Sequence, residues 1–349
     1  MVTMKDIARL ANTSTGTVDR ALNNKPGISE KTRAHILGIA KSLNYIPNKL
    51  GKGLVLKRQN IKLGVILEPT KNPYFEKLKQ GVEQATAELK DYGITTYVFT
   101  MNSYDENEQI HLLQRLRDLE VSGVALNAIN SEKVRRAIDD LVDAHIKVVT
   151  CNTDNNKSKR SCFFGFENEQ SGRVAAELLA KFTGESGLFL VEIGFEYILA
   201  HKDRQKGFLD KIREDYPNVS IAGIIESEEE DAVAFEKTLT TLNQHPEING
   251  IFVAGYGIQG VVNAVKIKNL QGKIKILCYD YTEQTAQYLY EGVIDALLCQ
   301  DPIKHGYTPL KILSELVTEG KEPKHSIYLT NVDIRLRENL LGQTHEWDI

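Results

Sequence analysis

The chain lacks most of the signatures of an exported, metal-binding or catalytic protein. Only four cysteines, Cys151, Cys162, Cys278 and Cys299, occur in 349 residues, and none belongs to a CxxC pair. Zinc and redox motifs draw on such pairs, so no metal is expected; the four read as reduced, partly buried thiols. No apolar run approaches the roughly 20 residues of a membrane-spanning helix. Residues 1–10 are interrupted by Lys5, Asp6 and Arg9 and so lack the apolar core of a signal peptide, which favours a cytoplasmic protein with no membrane partner. There is no GxSxG, P-loop or HExxH. Asp154, Asp280, His201 and His305 are available, but nothing spaces them as nucleophile and base. No enzyme, catalytic residue or cofactor is expected, and neither internal repeats nor low-complexity segments appear.

What the chain does have is a charge asymmetry. Residues 1–60 hold 11 basic and 3 acidic side chains, a formal +8, while the remainder holds 32 and 44, a formal −12. The overall value of −4 conceals this division. A small basic headpiece on a large acidic body suggests a DNA reader controlled by something the body senses. The length fits two to three domains, and 42% hydrophobic with 26% charged residues is ordinary for a globular protein.

Residues 4–43 read as three short helices. Thr3 and Asp6 resemble a capping box, Asn12 suits a left-handed turn, Ser14 can cap a helix over 15–22, and Gly27 and Ser29 open a third with Ile36, Ile39, Ala40 and Leu43 on one face. Asn44 and Pro47 suit its end. Residues 48–59 carry Lys49, Lys52, Lys57 and Arg58 among Leu50, Leu54 and Leu56, with Gly51 and Gly53 weakening any helix there. From residue 61 the texture alternates. Strands are expected at 62–67, 95–99, 123–127, 147–151, 187–193, 221–225, 250–254, 275–279 and 296–299, and helices at 75–91, 106–119, 132–144, 170–183, 203–215, 230–244 and 304–318. This βαβα rhythm predicts doubly wound parallel α/β sheets. It resets near the polar run NNKSKR at 155–160, so two lobes are expected: 60–157 with 300–325, and 158–299 with 326–341. Ligands bind at the carboxyl ends of strands in such folds, which directs attention to Glu68, Asn127, Asn152, Asp154, Tyr256, Asp280 and Gln300.

The run KDIARLANTSTGTVDRALNNKPGISEKTRAHILGIAKSLNYIPN resembles the headpiece of the lactose-repressor (LacI/GalR) family. The segments NPYFEKLKQGVEQA at Asn72, HKDRQKGF at His201, CYDYTE at Cys278 and CQDPIKHGY at Cys299 resemble, in order, the body of ribose-type periplasmic sugar-binding proteins. The resemblance implies a helix-turn-helix headpiece over 1–47, a hinge over 48–59 and a two-lobed effector-binding and dimerisation body over 60–349. It implies a homodimeric repressor of a sugar or polyol operon, binding a palindromic operator and controlled by a sugar, cyclitol or sugar-like effector between the lobes. Closure on the effector would alter hinge separation and so DNA affinity.

On this resemblance the base readers are Thr15, Gly16 and Arg20. Arg20 either grips a guanine, which is worth roughly 1–3 kcal/mol of discrimination, or meets a phosphate or solvent. Gly16 leaves one reader position empty. Asp19 needs a salt bridge or a base donor to sit near phosphates. Thr17, Ser29, Thr32, Arg33 and Asn48 match phosphate-holding positions, with Lys49 beside them. Leu54 matches a minor-groove wedge, or is a plain linker residue. In the body the implied effector contacts are Asn72, Tyr74, Phe75, Asn127, Asn152, Asp154, Arg204, Tyr256, Asp280 and Gln300. Tyr74 and Phe75 either stack on a sugar or pack their loop, and Asn152 and Asp154 either bind hydroxyls or cap a turn. Two alternatives share parts of this sequence. A solute-binding transport protein would have the body without the headpiece. An NAD-dependent enzyme would use Gly255, Gly257 and Gly260 as a GxGxxG loop.

Overall fold

A computed structural model of the protein describes residues 2–22, 25–43, 60–69, 73–196 and 198–341. The expected hinge over 48–59 lies outside the described residues, as do Asn44, Pro47, Asn48, Lys49, Gly51, Gly53, Leu54 and Asn72. The chain forms two compact units, one built on residues 1–60 and the other on the body from Ile61.

The headpiece consists of α1 (Met4–Leu10), α2 (Thr15–Leu22) and α3 (Glu30–Ser42). Its boundaries follow from side-chain caps. Thr3 and Asp6 close the expected capping box, Asn12 takes φ +48°, and Ser29 accepts from the Thr32 amide at 3.1 Å. Ile7, Ala8, Val18, Ala21, Ile36 and Ala40 form a small buried core.

In the body, β1 (Lys62–Leu67), β2 (Thr95–Thr100), β3 (Gly123–Leu126), β4 (Lys147–Cys151), β5 (Cys162–Phe166) and β11 (Ile327–Thr330) make one parallel sheet in the order β11-β5-β4-β3-β1-β2. The second sheet runs β12 (Asp333–Arg335), β10 (Ala296–Cys299), β9 (Lys275–Tyr279), β8 (Ile248–Val253), β6 (Gly187–Ile193), β7 (Val219–Glu226), with only β12 antiparallel. The helices on the first sheet include α4 (Pro73–Asp91), α5 (Glu106–Asp118), α6 (Glu132–Asp143) and α12 (Pro302–Glu319). Those on the second include α7 (Asn168–Phe182), α8 (Leu199–Asp215), α9 (Asp231–Gln244), α10 (Ile258–Ile267) and α11 (Glu283–Tyr290). In each lobe the strand order reverses at the first-entered strand, β1 or β6, and this reversal opens a crevice at the strands' carboxyl ends.

The expected lobe boundaries move. The chain changes lobe after Phe166, not at 157/158, because CFFGF, buried at all five positions, adds β5 to the first sheet. The NNKSKR run is a loop within that lobe, pinned by Arg160 on Asp154 and Lys159 on Asp143. Residues 327–330 also pair in the first lobe, and only from Asp333 does the chain rejoin the second. All four cysteines are free and buried.

Candidate functional site

On the headpiece, Thr15, Gly16 and Arg20 are exposed on α2 while Val18 and Ala21 of the same helix are buried. Thr15, Gly16 and Arg20 are thus free to meet a groove. Asp19 is held by Lys25 at 2.9 Å, which removes the penalty of a bare carboxylate beside phosphates. Ser14 and Thr17 share a hydrogen bond at 2.9 Å, as Ser29 and Thr32 do at 2.7 Å, so these hydroxyls cap helices. Arg33 departs from the expected phosphate contact. Its side chain is 11% exposed and turned inward, donating to the carbonyls of Arg20 (3.1 Å), Ala21 (3.4 Å) and Lys25 (2.8 Å). It donates to two carbonyls in the last turn of α2 and to a third beyond the helix end.

In the body, a cleft lies between the carboxyl ends of the two sheets. Its inner part is lined by Glu68, Tyr74, Phe75, Tyr104, Asn152, Thr153, His201, Arg204, Glu229, Asp280 and Gln300. The outer part, about 230 Å³, shares Glu68, Tyr104, Thr153 and Ile198. The inner part, where Arg204, Asp280 and Gln300 meet, is about 40 Å³, and the two together fall below the roughly 300–1,000 Å³ of drug-sized sites.

Arg204 is placed by glycine. A Cβ on Gly172 would lie 2.0 Å from the Arg204 carbonyl oxygen, and one on Gly207 would lie 1.9 Å from that of Glu169. α7 and α8 therefore cross almost backbone to backbone, setting Arg204 against the sheet. Its guanidinium lies 3.8 Å over the Tyr279 ring and donates to Asn168 Oδ1 and the Ala254 carbonyl, both at 2.9 Å. Asp280, with φ +68°, accepts from Gln300 Nε2 at 3.2 and 3.1 Å. Burial raises its pKa, while Arg204 and Gln300 oppose the rise.

Tyr74 bridges Asn152 Oδ1 (2.9 Å) and His305 Nδ1 (2.8 Å), and Phe75 packs edge-on against it. His201 Nδ1 accepts from the Phe195 amide at 3.1 Å, which leaves the ring proton on Nε2, 3.4 Å from Glu229 Oε1. Burial, aided by Arg204, pulls this histidine down to about 3, so it is neutral. Glu229 is pushed up to about 7 by burial and by the charge of Glu68.

Three expected effector residues lie elsewhere. Asp154 is turned onto Arg160 in a two-point ion pair (2.6 Å each) and accepts from Thr150, so it anchors a loop. Asn127 is buried behind Glu68, donating to it at 3.4 Å. Tyr256 does not line the cavities, and its carbonyl accepts from Ser227. The GxGxxG-like glycines serve packing: a Cβ on Gly255 would lie 2.2 Å from the Gly194 amide nitrogen, and one on Gly260 would lie 2.0 Å from the Asp231 carbonyl. Among the lining residues, Tyr104, Thr153, Glu229 and His201 were not assigned to the site from sequence. His201 had a signal, one helical turn before Arg204; Glu229 and Tyr104 lie in plain strand-end loops.

Residues 3–48 match the family profile described as bacterial regulatory proteins, lacI family, and residues 63–322 match the periplasmic binding protein domain. The chain is 26% identical over 285 residues to the ribose operon repressor of Halalkalibacterium halodurans, covering 78% of this chain and 77% of that one. It is 24% identical over 334 residues to the transcriptional regulator MalR of Clostridium butyricum, covering 94% and 97%. A solute-binding protein of Burkholderia graminis in complex with D-arabinose superposes with a TM-score of 0.75 at 23% identity, over 82% of this chain and 98% of the other. The last likeness is one of fold. Among the described residues, no helix is long and apolar enough to cross a membrane.

Proposed function

The chain belongs to the lacI family of bacterial regulatory proteins, ligand-responsive DNA-binding repressors, and from that premise we propose that it represses a sugar- or polyol-utilisation operon as a cytoplasmic homodimer on a palindromic operator. The observation that carries the effector reading is the convergence of Arg204, Asp280 and Gln300. They come from α8, the end of β9 and the segment joining β10 to α12, and they meet in one cleft. A polyol needs fixed polar partners of this kind, because each desolvated hydroxyl left unpaired is costly. An effector touching both lobes binds one lobe arrangement better than another, and that difference is the coupling energy available to the headpieces. We read the cleft as binding its ligand without chemistry. The four thiols are buried, and those of Cys151, Cys162, Cys278 and Cys299 are all pushed up, away from the reactive thiolate.

The test is calorimetry of the full chain against sugars, cyclitols and polyols, followed by fluorescence anisotropy on DNA from upstream of its own gene. A binding sugar or polyol should change operator affinity, and Asp280→Asn should weaken that response roughly tenfold or more. Unchanged effector binding by Asp280→Asn and by Arg204→Met would refute the site.

A further inference from the structure

Among the described residues, acidic side chains outnumber basic ones along the inner cleft. Three carboxyl side chains, Glu68, Glu229 and Asp280, line it with one cationic side chain, Arg204, among the described residues; burial raises all three carboxyls, Glu229 to about 7, and His201 is neutral. Glu106, at the outer cavity, is already matched by Lys133 at 2.6 Å. Arg204 and Gln300 act on Asp280 and Arg204 acts also on Glu229, which leaves Glu68 without a cationic partner among the described residues.

Glu68 is 6% exposed and receives only neutral donors: Tyr104 at 3.0 Å, Thr153 at 3.1 Å and Asn127 at 3.4 Å. Among the described residues no cationic side chain lies within 4 Å of it. Glu229, whose side chain is 12% exposed, lies 3.4 Å from the neutral His201, accepts a hydrogen bond from the Tyr256 amide and feels the charge of Arg204. One carboxylate belongs to each lobe, and the charge of Glu68 is felt at Glu229 across the gap. Burial raises both carboxyls, and a cation held between them would favour their charged forms, whose burial cost hydroxyl and amide donors alone do not offset.

Resting on the effector reading above, we propose that the effector is a cationic sugar-like molecule, an amino or imino sugar, whose ammonium sits between Glu68 and Glu229 while its hydroxyls meet Asp280, Gln300 and Arg204. A metal ion fits the gap less well. Calcium takes six to eight oxygen ligands, and no group of three or more acidic, histidine or cysteine side chains is placed to hold a metal among the described residues. An ammonium needs only two or three acceptors, which two carboxylates supply. Because the two acids stand on opposite lobes, the same cation that confers specificity also draws the lobes together.

The experiment is calorimetry and thermal shift on the full chain near neutral pH with matched hexoses: glucosamine, galactosamine and mannosamine, each beside its parent hexose and its N-acetyl derivative. One amine should bind at least roughly tenfold more tightly than both counterparts, the scale of one charge-assisted hydrogen bond, and Glu68→Gln or Glu229→Gln should remove that preference. The N-acetyl comparison uses the unaltered protein, so it stands even if a variant misfolds. Equal or tighter binding of parent hexoses would overturn the cationic effector and leave the sugar-effector reading intact. Failure of every hexose and hexosamine would overturn the cationic effector, while failure of the wider sugar, cyclitol and polyol screen as well would overturn both. A shift with calcium chloride alone, lost in Glu68→Gln, would give the gap to a metal and overturn the amine.

Discussion

Glu192 allows a quantitative test of how the second lobe is held together. It lies at the end of β6 with no exposure; Oε1 has no hydrogen-bond partner, and Oε2 accepts from the Gly255 amide at 3.4 Å. Burial, then the nearby charge of Glu229, pushes its pKa from 4.5 to about 8. In the unfolded chain the group ionises near its ordinary value. Between about pH 4.5 and 8 the unfolded chain has therefore released a proton that the folded chain retains. Stability from this group is full below that window and falls as pH rises through it, by about 1.4 kcal/mol per pH unit and roughly 4–5 kcal/mol in all. Glutamine ionises in neither state, so Glu192→Gln removes the slope. Its amide leaves one buried polar atom unpaired, at about 1–3 kcal/mol. The variant should be less stable than wild type near pH 5 and more stable near pH 8, by roughly 2–3 kcal/mol, with a crossing near pH 6. Urea unfolding followed by circular dichroism from about pH 5 to pH 9 measures the difference curve. Glu229 titrates in both proteins and largely cancels from that curve. Two stability curves that run parallel across the range would refute the burial argument.

Arg33→Ala should destabilise the headpiece by about 1.5–3 kcal/mol, because three backbone carbonyls lose a charged donor, while the salt slope of DNA binding stays unchanged. A slope lower by about one would mean a phosphate contact instead. Gly16→Ala should raise headpiece melting, worth roughly 0.5–1 kcal/mol, since the new methyl would stand 3.7 Å from Ser14 Oγ, an ordinary contact. A fall in melting temperature would contradict that geometry. Gly172→Ala should cost about 1–3 kcal/mol and weaken effector binding, because its Cβ collides with the backbone that carries Arg204; unaltered affinity in calorimetry would argue against this placement.

The parts of the fold that were legible in sequence are those whose pattern is local. Caps at Thr3, Ser14 and Ser29, and strands such as Lys147–Cys151, follow from neighbouring residues alone. CFFGF escapes the βαβα pattern because a loop, not a helix, separates it from Lys147–Cys151. Ile327–Thr330 and Asp333–Arg335 are short edge strands whose pairing partners lie far away in sequence. Ile258–Ile267 was obscured by glycines that resemble a nucleotide loop but serve helix packing. In the cleft, Arg204, Asp280 and Gln300 were recognisable from their order along the chain. Glu229 was not, because its role comes from facing Glu68 across a gap that only the folded chain creates. Asp154 had the right position but the wrong neighbour, Arg160, six residues later.

Among the described residues the chain passes between lobes three times, at Glu167, at Gln300–Asp301 and at Asn331–Val332. Each passage is one or two residues long, and the strands they leave or enter are adjacent in both sheets: β5 beside β11, and β10 beside β12. Three short crossings side by side make bending about them the natural way for the two halves to move relative to each other. On the proposed mechanism, in which effector-driven closure alters DNA affinity, the message sent to DNA would then be close to a scalar, the angle between the halves. Molecules of different chemistry that hold the same angle give the same output, and all discrimination between them has to occur in the cleft before that angle is set.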